Sequence, residues 1–205
     1  MLVTSTHPLF FRLLSMAALA VVAFWLITLH EPIQAMNDQQ DQLLNHPNWA
    51  GPFVPTPPAV VDAMLALAEV KESDTVYDLG SGDGRIIIMA VEKYKATAIG
   101  IEFDQDLCKQ TRLAIMNRGM EDRVKVIHGD IFQQDLRSAS VVTAYLLRKS
   151  LEKLAPMLEK QLKPGTRVLT VNDEIPGWKV TKYKYIAVQE ASTKNDWRVF
   201  LYIVR

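Results

Sequence analysis

The sequence predicts an α/β fold: a mostly parallel sheet of about seven strands with helices on both faces. Three observations carry that prediction. Short apolar, β-branched runs alternate with helical patterns of roughly 10–15 residues between Thr75 and Val171, the signature of βαβ units. A glycine-dense turn, Asp78-Leu79-Gly80-Ser81-Gly82-Asp83-Gly84, stands between the first such run and the helix that follows it. The tail holds two more β-rich segments around a polar turn, which adds an antiparallel hairpin at one sheet edge.

Residues 53–58 (FVPTPP) enter the first helix. Thr56 suits the N-cap and Pro57 the first helical position, and Val60, Val61, Met64, Leu65 and Leu67 give the helix a buried face as far as Glu69. Thr75–Leu79 reads as a strand ended by glycines, Gly84 to Tyr94 as a helix, and Thr97–Glu102 as the second strand. Asp104 caps a helix to about Asn117, and Gly119 stops it. Arg123–His128 alternates as a strand, and Ser140–Leu146 is a continuous apolar strand. Lys149–Leu162 is a helix with Leu151, Leu154, Leu158 and Leu162 on one face; Pro156 removes a backbone donor inside it and predicts a kink or a division. Lys163-Pro164-Gly165 turns into the strand Thr166–Val171, and Lys182–Val188 and Trp197–Val204 flank the polar turn Ser192–Asp196.

Composition excludes several classes. The chain has 205 residues, 23 basic against 23 acidic, and 49% of it is apolar, so disorder is excluded. A net charge of zero speaks against nucleic acid as a partner. One cysteine, Cys108, and four scattered histidines rule out a disulfide framework and predict no metal site. The first thirty residues are a separate object. Leu13–Leu29 is a 17-residue run without a charge, which reads as a membrane anchor or a signal segment, with Ile33-Gln34-Ala35 a weak cleavage site. Residues 31–52 read as a polar, proline-punctuated linker and residues 53–205 as the folded domain. The oligomeric state is open.

The glycine turn carries the chemistry. Turns at the carboxyl ends of parallel strands are where open α/β sheets bind ligands. A dinucleotide fingerprint is G-x-G-x-x-G; here the spacing is G-x-G-x-G, and Asp78 stands two residues ahead of it. A carboxylate there repels a pyrophosphate and favours a cation. S-adenosylmethionine meets that requirement, with a sulfonium, an ammonium and no phosphate. Gly80, Ser81, Gly82, Asp83 and Gly84 form the cradle. Glu102, ending the second strand, can accept the ribose hydroxyls. Asp130 after the third can accept from the adenine amine, with Ile131 flanking the ring.

With those residues in view, 53–178 resembles the class I (Rossmann-like) S-adenosylmethionine-dependent methyltransferases. It resembles more narrowly the small protein-lysine methyltransferases that modify the ATP synthase c-subunit and the adenine nucleotide translocase, with their prokaryotic relatives. The matching elements are Phe53-Val54-Pro55-Thr56, the Asp78–Arg85 turn, Gly129-Asp130, Leu162-Lys163-Pro164-Gly165 and Ile175-Pro176-Gly177-Trp178; the likeness covers about 60% of the chain. It implies the strand order 3-2-1-4-5-7-6, a protein substrate with a target lysine, and a hydrophobic segment ahead of the domain.

Methyl transfer to lysine needs an aligned, deprotonated amine. Candidate groups are therefore sought at the ends of the fourth and fifth strands. Tyr145 can orient the amine, Asn172 and Asp173 can contact substrate, and Trp178 can wall a lysine channel. Pro55 and Thr56 can close over the methionine end of the cofactor. No Asn-Pro-Pro-Tyr or Asp-Pro-Pro-Tyr follows the fourth strand, which lowers the weight of DNA bases and glutamine amides as acceptors. A small molecule or lipid as acceptor, and a non-catalytic cofactor-binding scaffold, stay open as alternatives. Cofactor supply places the domain on the cytosolic or matrix side of a membrane; the flanking charges (Arg12 before the run, Glu31, Asp38 and Asp41 after it) favour export after signal cleavage.

Overall fold

The computed structural model describes residues 46–190 and 193–205. Residues 13–29, expected to form the hydrophobic helix, lie outside them; among the described residues no helix is long and apolar enough to cross a membrane. A compact unit runs from Asn48 to Arg205 and so begins five residues ahead of the Phe53 boundary drawn from the sequence.

The first helix, α1, is Pro58–Leu67. Pro57, not Thr56, is its N-cap, without a side-chain hydrogen bond. The shift has a simple cause. A cap at Thr56 would put Pro58 at a position that should offer an N–H to the capping oxygen, whereas starting at Pro58 leaves both prolines where no donor is needed. Strand β1 is Thr75–Leu79, helix α2 is Arg85–Tyr94 and strand β2 is Thr97–Glu102. Helix α3, Gln105–Met116, has Asp104 at its N-cap accepting from the N–H groups of Asp106 and Leu107, as its sequence predicts. Then come β3 (Val124–His128), a 3-10 turn at Ile131–Gln133 and β4 (Val141–Ala144), shorter than the run that predicted it.

Helix α4, Arg148–Gln161, passes through Pro156 undivided. Its buried residues Leu151, Leu154, Ala155 and Leu158 hold the turns on either side of the missing N–H against the sheet. Strand β5 is Arg167–Val171. Strands β6 (Lys182–Glu190) and β7 (Thr193–Ile203) pair further toward their connection than the polar residues suggested, with Glu190 opposite Thr193. Backbone pairing continues through Thr193–Asp196, so that part of the expected turn is strand.

The sheet order is β3-β2-β1-β4-β5-β7-β6, and among the described strands β7 runs opposite to the other six. One face is covered by α1, α2 and Ile115 of α3, which bury Val76, Ala98, Val141, Leu169, Val199 and Leu201. The other is covered by α4 and Leu136, over Leu79, Val142, Val168, Phe200 and Tyr202. At the amino ends of the strands Arg167 pairs with the buried carboxylate of Asp74, which also accepts from Ser140. The carboxyl ends of β1, β2, β4 and β5 open on the other side.

Candidate active site

Strand β1 delivers Asp78 and Leu79 to the carboxyl edge, and the chain then reverses into α2. The N–H groups of Gly80 and Ser81 both bond to the carbonyl of Ile101, at 2.9 and 3.0 Å. The N–H of Gly82 bonds to Glu102 Oε2 at 2.7 Å. Gly84, at φ 79°, is the N-cap of α2, and a Cβ on it would lie 2.3 Å from Thr111 Cγ2. A left-handed backbone pressed against a neighbouring helix leaves room for glycine only.

Asp78 is 1% exposed. Its Oδ1 accepts from the Thr143 hydroxyl at 2.7 Å, and its Oδ2 has no partner. Burial pushes its pKa up to about 7; the Thr143 hydroxyl opposes the shift, and the Glu102 and Asp83 carboxylates add to it. A buried acceptor without a donor is a group waiting for one. The ammonium of S-adenosylmethionine would satisfy Oδ2 and would offset the cost of ionising the carboxyl, so the residues present fit that cofactor.

Glu102 accepts one N–H on each oxygen, from Gly82 and from Asp104 (2.9 Å), which leaves lone pairs for a ribose diol. Asp130 caps the 3-10 turn through Phe132 N–H, and its Oδ2 also accepts from Asn48 at 2.6 Å and Gln133 at 2.8 Å. Ile131 is buried beside it. Asp78, Glu102 and Asp130 thus sit at the ends of three neighbouring strands, as expected. Ser81 departs from expectation. Its hydroxyl is buried without a partner, next to where a Gly100 Cβ would lie, so only its backbone faces the turn. Asp83 departs too: Arg85 holds its carboxylate at 2.5 Å and draws its pKa down.

Arg85 also donates to the carbonyl of Thr56 at 2.8 Å, which ties the Phe53–Thr56 lead-in to the glycine turn. Thr56 is buried, Pro55 is exposed, and a Cβ on Gly82 would lie 2.3 Å from the Phe53 ring, so that ring rests on the turn. Phe53 and Val54 are each 46% exposed, and with half-exposed Leu147 they form an apolar lip.

Beyond β4 and β5 the structure brings Tyr145 and Asn172 together. Asn172 sits at φ 62°, donates from Nδ2 to the Tyr145 hydroxyl at 3.4 Å and accepts the Arg198 N–H on Oδ1 at 3.1 Å. Asn is among the non-glycine residues that adopt the left-handed region most readily, and here its side chain bridges the ends of two strands. Asp173 follows; its hydrogen bonds run through its backbone, to the Val171 carbonyl and the Thr170 hydroxyl. Trp178 is elsewhere. It packs edge-on against Tyr202, which pairs with Val168 near the start of β5, and its indole donates to Glu159 at 2.9 Å. It lines a cavity of about 300 Å³ with Glu159 and Arg205 toward the amino ends of the strands, so it does not wall an acceptor channel. The sequence reading missed Thr143, Arg85 and Asn48, and the Trp197 ring that meets Tyr145 edge to face at 5.6 Å. Only Arg85, two residues after Asp83 in the same turn, carried a local signal.

The family model described as the ANTKMT methyltransferase domain matches residues 78–182. A protein-lysine N-methyltransferase of Saccharolobus islandicus is 40% identical over 75% of this chain and 93% of its own length. The adenine nucleotide translocase lysine N-methyltransferase of mouse is 30% identical over 71% of this chain, and this chain spans 61% of it. The solved structure of an RNA methyltransferase from Salinibacter ruber, in complex with S-adenosyl-L-homocysteine, is 42% identical. It covers 74% of this chain and 94% of its own, with a TM-score of 0.66.

Proposed function

The chain belongs to the ANTKMT methyltransferase-domain family and is an S-adenosylmethionine-dependent methyltransferase; from that premise we propose that its acceptor is the side-chain amine of a protein lysine. The observation that carries the cofactor side is the unpartnered Oδ2 of Asp78 in the glycine crevice. The acceptor side is carried by the likeness to the Saccharolobus protein-lysine N-methyltransferase over nearly that protein's whole length.

When bound, the cofactor supplies an already activated methyl group, so the protein's task is alignment and deprotonation. Asp78 would take the ammonium, Glu102 the ribose hydroxyls and Asp130 the adenine amine; the backbone of Gly80, Ser81, Gly82 and Gly84 lets the nucleoside come close. Pro55 and Thr56 would close the methionine end, held there by Arg85, while Asp83 serves that tie rather than the ligand. Tyr145, set by Asn172, would orient the amine. The apolar lip of Phe53, Val54 and Leu147 lowers the local dielectric, which favours the neutral amine that must attack. Asp173 at the mouth would attract the incoming ammonium form.

We further propose a membrane-associated substrate, reached by a chain anchored through residues 13–29 with residues 31–47 as tether. The support is the charge-free 17-residue run. The catalytic unit would face the cytosol or matrix, where the cofactor is made and used. An RNA acceptor is the second reading, raised by the likeness to the Salinibacter RNA methyltransferase and opposed by the zero net charge.

The test incubates the purified chain with methyl-labelled S-adenosylmethionine and a membrane extract. Label that resists ribonuclease, is removed by protease and appears in methylated lysine supports the proposal. Label lost to ribonuclease, or found in the organic phase, overturns it in favour of RNA or lipid.

A further inference from the structure

We propose that Trp197 is a substrate-binding residue whose indole N–H is reserved for an amide carbonyl of the peptide that carries the target lysine. This rests on the lysine reading above. Strand β7 runs antiparallel to β5, with Val199 opposite Val171, the last residue of β5. Trp197 therefore lies past the carboxyl end of β5, on the face it shares with Val199 and Leu201. On β4, the strand beyond β5, the same face leads from Thr143 to Tyr145, and the two aromatic rings meet edge to face at 5.6 Å and 69°. Asn172 fixes both sides of this corner, through the Tyr145 hydroxyl and the N–H of Arg198, the residue after Trp197.

Trp197 is 9% exposed and its Nε1 has no acceptor. Buried indoles ordinarily find one; even the half-buried Trp178 has Glu159. Three buried side-chain polar atoms lack partners among the described residues: Asp78 Oδ2, Ser81 Oγ and Trp197 Nε1. The first two lie at the glycine turn on β1; Trp197 lies beyond β4 and β5, on the acceptor side. An indole N–H can only donate. An ammonium cannot satisfy it. The neutral lysine amine cannot either without turning its one lone pair away from the methyl group. What a protein substrate can offer there is a backbone carbonyl beside the target side chain.

The test measures methyl transfer from labelled S-adenosylmethionine to poly-L-lysine by wild type, by Trp197→Phe and by a protein in which Trp197 is replaced by 3-benzothienylalanine. The last keeps the bicyclic outline and lacks the N–H, so it stays informative where the smaller phenyl ring loses packing. The expected result for both variants is a KM for poly-L-lysine raised about fivefold, the weight of one hydrogen bond, with cofactor Kd within about twofold of wild type. The benzothienyl variant should melt no lower than wild type, because the donor it loses has no partner in the free protein. An unchanged KM, a weakened cofactor Kd or a lowered Tm in the benzothienyl variant overturns the proposal. Wild type that binds the cofactor yet labels neither poly-L-lysine nor membrane-protein lysines overturns the lysine reading itself, and the proposal with it.

Discussion

Replacing Asp78 by Asn removes a charge and keeps the shape, so it isolates what the buried carboxyl does. Thr143 can still donate to Oδ1, but the second position becomes a donor and no longer accepts an ammonium. Burial lifts Asp78 from 3.8 to about 7; at about 1.36 kcal/mol per pH unit, a rise of about 3 units weighs about 4 kcal/mol against the cofactor-free fold once the group is ionised. The sign follows from proton counts. Below pH 3.8 both folded and unfolded chains hold the proton and nothing is lost. Between 3.8 and about 7 the unfolded chain releases a proton that the fold retains, so stability falls as pH rises. Above about 7 the loss is complete and constant. Asp78→Asn should therefore raise the Tm of the free protein at pH about 8, by about 8–16 °C at about 2–4 °C per kcal/mol, and change nothing at pH about 3. Cofactor binding has the opposite sign. An ammonium on Oδ2 favours the carboxylate, so wild-type affinity should rise with pH up to about 7 and be flat above it, with proton release on binding in the lower range. The variant should lose roughly 10–100-fold in affinity at pH about 8 and show no such slope. Calorimetry in two buffers of different ionisation enthalpy reads the proton release, and thermal melts read the stability. A variant that melts below wild type at pH about 8, or binds the cofactor as tightly as wild type, refutes the reasoning.

Thr143→Val removes the hydroxyl that holds down the Asp78 pKa, so the pH at which cofactor affinity levels off should move above about 7; the same calorimetric series, with the plateau unmoved, would count against that link. Gly82→Ala forces a Cβ to within 2.3 Å of the Phe53 ring on a left-handed backbone, where the conformation itself costs about 1–2 kcal/mol. Cofactor affinity should fall, and adding Phe53→Ala should restore part of it. A double-mutant cycle with zero coupling would show that the ring does not rest on the turn. Arg167→Met strands the buried Asp74 carboxylate and should cost about 3–5 kcal/mol in denaturant unfolding without changing cofactor Kd, because the pair lies at the far ends of the strands. Asp74 has a lowered pKa, so its contribution in wild type is present above 3.8 and lost as pH falls through that lowered value. The variant should lack this acid limb.

What the sequence made legible was local. The glycine turn, Asp104 as a cap, and the acidic residues at successive strand ends can all be placed from periodicity and spacing, because each depends on neighbours a few positions away. Strand order followed from a resemblance rather than from the residues. Apart from Arg85, the partners that were missed share one property: they meet across the fold. Thr143 reaches Asp78 because β4 pairs with β1 in the register Asp78↔Thr143, 65 residues apart. Asn48 reaches Asp130 across 82 residues. Trp197 reaches Tyr145 only because β7 inserts between β5 and β6. Trp178 shows the converse. Its tetrapeptide matches a family pattern, yet the chain after β5 turns back toward the amino ends, where its ring meets Tyr202. A motif says that a residue is there, and register decides what it faces.

The distribution of charge in the crevice explains why a chain with no net charge can select a cationic nucleoside. Four carboxylates, Asp78, Asp83, Glu102 and Asp130, stand within the turn and the two adjoining strand ends. Among the described residues only Asp83 has a cationic partner, Arg85, whose side chain also anchors the lead-in at Thr56. Glu102 and Asp130 are held by neutral N–H donors and Asp78 by one hydroxyl, so their charge is solvated locally without being cancelled. The same turn in a dinucleotide-binding protein offers its free N–H groups to a pyrophosphate. Here Glu102 consumes the Gly82 N–H, the Ile101 carbonyl consumes those of Gly80 and Ser81, and a carboxyl sits beneath them. An anion would meet acceptors where it needs donors. The discrimination is therefore built from hydrogen-bond polarity as much as from net charge, and removing Arg85 should leave the preference for a cation intact while loosening the lead-in above it.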